Sequence, residues 1–277
     1  MTRGPIELRS PATVALHHVL SRNSLIVGLA LLLLAAFAWG WLWFAPGGGQ
    51  ATGDMAGMDM AGMDMGAMAM PADPWTTAYL MTAFAMWSIM MVAMMAPSAA
   101  PMILLHARID RSESEAARLF HSALFIAAYL LVWTAFAAAA VGAQALLLDG
   151  GLLSAATLSI GSPAIIAAML LLAAAYELTP AKGRCLENCQ SPLIFIHRHW
   201  KPGADGAFRL GIRHGLYCVG CCWALMLLLF VGGVMNLAWI ALLAIVATLE
   251  KVASPRWKAH RWVAALLLLA AVLVALR

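Results

Sequence analysis

Long apolar stretches alternate with shorter polar segments along the chain, and this alternation predicts membrane-spanning helices. The first two stretches read NSLIVGLALLLLAAFAWGWLWF (23–44) and WTTAYLMTAFAMWSIMMVAMM (75–95). Each is close to the roughly 20 apolar residues that a helix needs to cross a bilayer. Five more stretches follow, at approximately 119–148, 154–176, 214–231, 234–249 and 262–276. Two of these are short and are separated only by Gly232 and Gly233, so seven spans are expected, with six as the alternative.

Composition favours a membrane location over a soluble fold. Hydrophobic residues make up 64% of the 277 residues and charged residues 11%, whereas about a quarter of an ordinary soluble domain is charged. We therefore expect an all-α, polytopic transmembrane helix bundle with the lipid bilayer as its first partner. The net charge of +4 comes from loop residues, and the sequence contains no phosphate-binding loop or dinucleotide fingerprint. Neither nucleic acid nor nucleotide is an expected partner.

The distribution of Lys and Arg predicts the orientation of the bundle. Neither residue occurs in the loops 45–74, 149–153 and 232–233, whereas every alternate loop is basic. Basic loops remain on the cytoplasmic side of a membrane. We therefore expect a cytoplasmic N-terminus in a multi-pass protein of the bacterial inner membrane. The expected parts are a cytoplasmic segment with the first helix (1–44), a periplasmic flexible loop (45–74) and a helix bundle (75–277).

The periplasmic loop contains MAGMDMAGMDMGAMAM, a repeat rich in Met, Gly and Asp. Thioether sulfur is a soft neutral ligand that selects Cu(I), and it survives in an oxidising compartment where free thiols do not. Peripheral capture of Cu(I) is therefore predicted for the methionines of this loop, which are Met55, Met58, Met60, Met63, Met65, Met68 and Met70. The alternative is a low-complexity linker in which Met arose by repeat expansion.

A second group of methionines follows helical spacing in the second apolar stretch. Its members are Met86, Met90, Met91, Met94 and Met95. Met86, Met90 and Met94 share one helix face, so they are candidate thioether ligands, although such a stripe is also typical of adaptable packing. The motif APSAAPM follows, and its Pro97 and Pro101 are expected to end the helix and to leave backbone carbonyls that need partners.

The five cysteines fall into two groups, CLENC and HGLYCVGCCWALM. Both groups are expected near the cytoplasmic side, where thiols remain reduced and a disulfide framework is not formed. Thiolates with an imidazole suit Cu(I), or Zn(II) as the alternative. The candidate metal ligands are Cys185, Cys189, His214, Cys218, Cys221 and Cys222. His214, Cys218 and Cys222 would align on one helix face, and Cys185 or Cys189, from a polar and hydrated loop, would supply a fourth ligand. The alternative is that these cysteines are packing residues.

A few polar residues lie inside or at the ends of the predicted spans, where burial in lipid is costly. Glu177, Asn236 and Glu250 are candidates for a functional role on this ground. Lys251 is expected to extend toward the membrane surface as a simple anchor, and the same interpretation competes for Glu250.

Three motifs, WSIMMVAMMAPSAAPM, YELTPAKGRCLENCQSPLIF and GIRHGLYCVGCCWALMLLLFVGGVMNLAWIALLAIVATLEK, together resemble a bacterial domain-of-unknown-function family. That family is described as predicted metal-binding integral membrane proteins. The resemblance covers about residues 75–275. It implies metal binding through matching positions, which are Met90, Met91, Met94, Met95, Pro97, Pro101, Pro180, Cys185, Cys189, His214, Cys218, Cys221, Cys222, Met235, Asn236 and Glu250. Glu177 stands where the family pattern has glutamine.

Two functions remain open from the sequence. In the first, the protein handles Cu(I) along a graded set of soft ligands and captures it, transfers it or delivers it to a periplasmic or membrane copper protein. In the second, it is a membrane-bound oxidoreductase that uses a metal or its thiols on a lipophilic substrate. The first explains the Met-rich loop, so we expect a binding protein rather than an enzyme, and no catalytic residue is identified.

Overall fold

The computed structural model of the protein describes residues 22–44, 73–110, 112, 114–254 and 257–276. The described part is helical, and an isolated bridge joins Leu153 to Ile160. The helices in chain order are α1 (Arg22–Phe44), α2 (Thr77–Ile109), α3 (Glu115–Asp149), α4 (Pro163–Glu177), α5 (Pro180–Gln190), α6 (Pro192–His199), α7 (Gly203–Leu227), α8 (Leu229–Gly232), α9 (Leu237–Val252) and α10 (Ala259–Ala275). The all-α prediction is therefore confirmed for this part of the chain.

Four helical segments among the described residues are long and apolar enough to cross a membrane. They are Ser24–Phe44, Thr77–Ile109, Glu115–Asp149 and Gly203–Gly232. A fifth is added if α4 and α5, which meet at a bend of 65°, form one broken span. The count is lower than the seven predicted because α4, α9 and α10 have only 15, 16 and 17 residues. At 1.5 Å per residue these helices are about 22–26 Å long, which is less than the roughly 30 Å of a hydrocarbon core.

Helix α2 continues through Pro97 and Pro101, so the predicted end of this helix at Met95 is wrong. Pro97 has no N–H to donate to the carbonyl of Ala93, four residues earlier. The indole N–H of Trp39 on α1 donates to that carbonyl instead, at 3.0 Å. The freed backbone acceptor thus has a partner from a neighbouring helix, as the sequence predicted, and α2 continues to Ile109.

The remaining helices assemble around α2, α3 and α7. Helix α1 packs on α2, α2 on α3, α3 on α7 and α5 on α7; α9 packs on α2, and α10 pairs with α4. Gly211 and Gly215 allow the backbone of α7 to approach α3. A Cβ atom at Gly211 would lie 2.4 Å from the carbonyl oxygen of Phe125, and one at Gly215 would lie 2.9 Å from Val132.

The turn between α2 and α3 is held by polar side chains. Asp110 accepts a hydrogen bond from His121 at 2.7 Å and from the hydroxyl of Ser112 at 2.6 Å. Burial raises the pKa of Asp110, but the hydrogen bonds from Ser112 and His121 outweigh this effect and hold the pKa below its usual range. Ser114 caps the first turn of α3. These hydrogen bonds link the end of α2 to the start of α3.

The depth of the cysteines differs from the sequence-based prediction. Helix α7 begins at Gly203 rather than at His214, and α8 extends it to Gly232. Cys218 consequently lies near the middle of this segment, at about the level where Met95 lies in α2. The segment CLENC is not a hydrated loop, because it forms α5, which packs against α7 and buries Cys189. The fold thus brings both cysteine groups and the methionine stripe into the interior of the bundle.

Candidate metal centre

Three sulfur atoms from two helices meet in the interior of the bundle. Cys218 and Cys222 lie one turn apart on α7, and Met95 faces them from α2. The Sγ of Cys222 lies 4.0 Å from the Sδ of Met95. A metal–sulfur bond is about 2.3 Å long, so two sulfurs that share an ion lie at most about 4.6 Å apart. The three residues are at most 1% exposed. We call Met95, Cys218 and Cys222 the central sulfur site.

The backbone of α7 positions the thiols of this site. The Sγ atoms of Cys221 and Cys222 both donate to the carbonyl oxygen of Cys218, at 3.1 Å and 2.9 Å. Such bonds to the preceding helical turn fix side-chain direction, as they do for Ser and Thr in helices. A sulfur this close to a carbonyl oxygen requires an S–H proton between them, so the geometry suits protonated thiols at Cys221 and Cys222.

A lysine ammonium lies among these sulfurs. The Nζ of Lys251, at the end of α9, lies 3.0 Å from Cys218 Sγ, 3.4 Å from Met95 Sδ and 3.0 Å from Ser98 Oγ. Lys251 is 6% exposed, so the expectation that it anchors at the membrane surface is wrong. The reason is tertiary: the face of α9 that carries Lys251 packs on α2 and α5, although other residues of its last turn, such as Val252, are exposed.

Tyr129 completes the surroundings of Cys218. Its hydroxyl oxygen lies 3.1 Å from Cys218 Sγ and 3.1 Å from the backbone carbonyl oxygen of Met95, so its single proton is shared between these two acceptors. Tyr129 comes from the middle of α3 and is fully buried. Sequence reasoning did not select Tyr129, Ser98 or Lys251. A polar side chain within an apolar stretch indicates a functional role. This criterion selected Glu177 and Glu250, and it could also have selected these residues.

A second pair of cysteines lies beside the central sulfur site. The Sγ atoms of Cys189 on α5 and Cys221 on α7 are 4.0 Å apart, again within reach of one shared ion. Cys185 faces Gly220, since a Cβ atom there would lie 2.9 Å from Cys185 Sγ. All five cysteines are free. The two cysteine groups of the sequence therefore meet, as the fourth-ligand hypothesis required, but through Cys221 rather than through Cys222.

His214 lies one turn before Cys218 and is enclosed by aromatic rings. Its ring stacks on Tyr129 and Phe125, with centroids 5.5 Å and 6.1 Å apart, and contacts Phe195 edge-on. Its Nδ1 atom is buried without a hydrogen-bond partner. His106 on α2 has the same unpartnered Nδ1 and also stacks on Phe125, with ring centroids 5.1 Å apart. The role of His214 as a metal ligand stays a prediction.

The other methionines of the stripe line the same helix. Met90, Met91 and Met94 are buried, and Met86 is partly buried. The described residues contain no group of three or more His, Cys, Asp or Glu side chains placed to hold a metal ion. A site with three side-chain ligands in this part of the chain would therefore include a thioether. Met55, Met58, Met60, Met63, Met65, Met68 and Met70, the methionines predicted to capture Cu(I), lie outside the described residues.

A buried ionic triad lies on the other side of α9. The Nζ of Lys182 lies 2.7 Å from Glu177 Oε1 and 2.7 Å from Glu250 Oε2, and Lys182 is 0% exposed. Glu250 is therefore not an interfacial anchor. Gln190 donates to the backbone carbonyl of Glu250 at 2.7 Å. Asn236, the third polar candidate, caps α9 by accepting from the N–H of Trp239. These contacts tie α4, α5 and α9 together.

Comparison with known proteins yields one family. A family model described as "PpoB2: Copper chaperone" matches residues 84–274. The match begins within α2 and ends in α10, so it includes the central sulfur site, the Cys189–Cys221 pair and Lys251. Comparisons with curated proteins and with solved structures found no match.

Proposed function

The chain belongs to the copper chaperone family, and from this premise we propose that it carries Cu(I) as its cargo at the central sulfur site within a membrane. The observation that supports this most is the approach of Cys222 Sγ to Met95 Sδ at 4.0 Å. A thioether is a poor ligand for Zn(II) but a good one for Cu(I), so a site made of two thiols and one thioether favours copper over the zinc alternative. Among the described residues the site offers three sulfurs, which suits the low coordination number of Cu(I) better than the four ligands of structural zinc.

The Cys189–Cys221 pair is a second position on the same route. Cys221 neighbours Cys222 in the chain, and Cys189 belongs to α5, which packs on α7. We propose that Cu(I) passes between the central sulfur site and this pair during transfer. Short steps between similar sulfur donors require no fully released ion in an apolar interior, where an unpaired charge is costly.

The Met-rich loop would act at the start of this route. Its residues outnumber the ligands that one ion needs, and its glycines make ordering around an ion entropically costly. We propose weak, reversible capture of Cu(I) in the periplasm, followed by delivery to a periplasmic or membrane copper protein. The lengths of α1, α2, α3 and the α7–α8 segment support an inner-membrane location. A cytoplasmic N-terminus is part of the same proposal.

The oxidoreductase alternative requires room for a substrate beside the sulfurs. Among the described residues, a cavity of about 640 Å³ lies at the start of α5. Its lining includes Thr179, Lys258 and Arg261. None of its lining residues belongs to the central sulfur site or to the Cys189–Cys221 pair. We favour copper carriage because the family is one of copper chaperones and because the central sulfur site includes a thioether.

Copper binding under anaerobic conditions tests the proposal. Detergent-purified protein is titrated with Cu(I) against a chromogenic Cu(I) chelator, and bound copper is measured by elemental analysis. We expect tight binding that is lost in the Cys218→Ser/Cys222→Ser variant and weakened by Met95→Leu. Cys185→Ser is the matched control, because it removes a thiol that faces Gly220 rather than the sulfur site. Equal copper content in the double variant and the wild type would contradict the proposal.

A further inference from the structure

The contacts of Lys251 suggest how the central sulfur site is kept ready for copper. Its ammonium touches two of the three proposed ligands, at 3.0 Å from Cys218 Sγ and 3.4 Å from Met95 Sδ. We propose that the Lys251 ammonium is a tethered substitute for the metal, which holds the cation position before copper binds and exchanges with Cu(I) when copper enters or leaves. This inference rests on the proposed function and concerns the same site.

Charge balance supports an exchange. A buried ammonium requires a partner of opposite charge. The hydrogen bonds of Lys251 Nζ to described residues involve Ser98, Met95 and Cys218, and of these only Cys218 becomes an anion, by losing its thiol proton. Cys222 donates its proton to a carbonyl at 2.9 Å and remains neutral. The site therefore offers one negative charge, which balances a single monocation.

Simultaneous occupation by both cations is unfavourable. An ion bonded to Cys218 Sγ at about 2.3 Å would lie at most about 5.3 Å from an ammonium that is 3.0 Å from the same sulfur. Two positive charges at this distance repel strongly in a poorly polarisable interior. Cu(I) therefore enters as the ammonium moves toward the end of α9, where Val252 is exposed and water can hydrate the charge. In this exchange the ion bonds to the Cys218 thiolate and the Met95 thioether, while the Cys222 thiol and the Lys251 ammonium keep their protons. One monocation replaces another, so neither electrons nor protons are gained or lost.

The exchange has a consequence for copper release. Without a substitute cation, departing Cu(I) would leave a buried thiolate without a counter-charge, which is costly. With Lys251 returning to Cys218, the thiolate remains paired when the copper has gone. The residue would therefore lower the affinity of the site and speed release, as suits a protein that passes its cargo on.

Replacement of Lys251 by a neutral residue tests this inference. Lys251→Met and Lys251→Gln are each titrated with Cu(I), and in parallel with Ag(I), a soft monocation that does not undergo oxidation in air. We expect both variants to bind either ion at least tenfold more tightly than the wild type and to release it to a chelator at least tenfold more slowly. Lys258→Met is the matched control, because it removes one positive charge at an exposed position, and it should leave affinity and release rate unchanged.

The outcomes separate this inference from the proposed function. Suppose that the wild type binds Cu(I), that Cys218→Ser/Cys222→Ser does not, and that both Lys251 variants bind Cu(I) with unchanged or lower affinity. The exchange is then wrong, and copper carriage stands. Lower affinity would assign Lys251 as a counter-charge for two thiolates. If copper binding does not depend on Cys218 and Cys222, the proposed function itself fails. Lys251→Gln retains a polar group beside Ser98, so the test remains available if Lys251→Met does not yield monodisperse protein.

Discussion

Lys182 lies in the first turn of α5, and its ammonium contacts a carboxylate oxygen of Glu250, in the last turns of α9, at 2.7 Å. The same ammonium contacts Glu177 at the end of α4. Two carboxylates thus share one cation in a place where none of the three residues is more than 2% exposed. One oxygen of each carboxylate, Glu177 Oε2 and Glu250 Oε1, is buried without a hydrogen-bond partner.

Substitutions of different members of the triad should differ strongly in their effect on the free energy of unfolding. Lys182→Met leaves two buried carboxylates without a counter-charge and should lower the free energy of unfolding by about 3–5 kcal/mol. Glu177→Gln leaves a one-to-one ion pair with Glu250 and should cost far less, or stabilise the protein. Thermal unfolding in detergent, followed by circular dichroism, checks both variants.

An exposed ion pair provides the control for the triad. Arg209 and Asp205, on the first turns of α7, form a salt bridge at 2.8 Å with both side chains more than half exposed. Arg209→Met should change the free energy of unfolding by no more than about 1 kcal/mol. A smaller loss in Lys182→Met than in Glu177→Gln would show that the triad does not carry the charges assigned to it.

A second prediction concerns the backbone of α2 at Pro97. Trp39→Phe removes the N–H that serves the Ala93 carbonyl and should destabilise the protein by about 1–3 kcal/mol, the cost of an unsatisfied buried acceptor. Pro97→Ala restores an N–H that can donate to the same carbonyl within the helix. In the Pro97→Ala background, Trp39→Phe should therefore cost clearly less, and this coupling is measured by a double-mutant cycle. Trp43→Phe, at an exposed position of α1, controls for loss of indole volume. Equal costs in both backgrounds would contradict the assignment.

The sequence predicted that the long apolar stretches are helical, but it did not predict helices α5 and α6, and it placed the helix ends less well. Apolar runs and the spacing of Met90 and Met94 are local properties, and both are borne out as helical. The passage of α2 through Pro97 depends on Trp39, which lies 54 positions from its acceptor and belongs to another helix. No local pattern contains that contact, so the prolines were interpreted as a helix end.

The candidate site was only partly predictable for the same physical reason. Cysteine and methionine were selected because their chemistry is specific and their spacing is helical. The partners Tyr129 and Lys251 lie 89 and 33 positions from Cys218, and their residue types are also common at membrane interfaces. A lysine at the end of an apolar run normally extends to the surface. Only the packing of α9 into the bundle reverses that expectation for Lys251.

A third prediction follows from the hydroxyl of Tyr129. This group lies 3.1 Å from Cys218 Sγ, and a hydrogen bond to a charged partner contributes about 1.5–3 kcal/mol. Tyr129→Phe should therefore weaken Cu(I) binding roughly ten- to hundredfold without changing the number of ions bound. Tyr217→Phe is the control, because Tyr217 lies on α7 and its ring packs edge-on against Phe195. An unchanged affinity in Tyr129→Phe, measured by chelator competition, would exclude a role for the hydroxyl in holding the thiolate.

The last prediction is topological and decides the direction of the whole route. Residues 45–74 should face the periplasm and residues 179–213 the cytoplasm, because the first segment contains no Lys or Arg and the second is rich in both. Single cysteines are introduced at Gly53 and at Ala204 in a Cys185→Ser background, which removes the one cysteine that is only partly buried. A membrane-impermeant maleimide applied to intact cells should label the first site, and the second only after the membrane is opened. A cysteine at Asp205, beside Ala204 on the first turn of α7, should behave like the one at Ala204. Labelling of both the Gly53 and the Ala204 variants from the same side would place the Met-rich loop and the start of α7 on one side of the membrane. That result would contradict a route on which copper captured by the loop crosses the bundle.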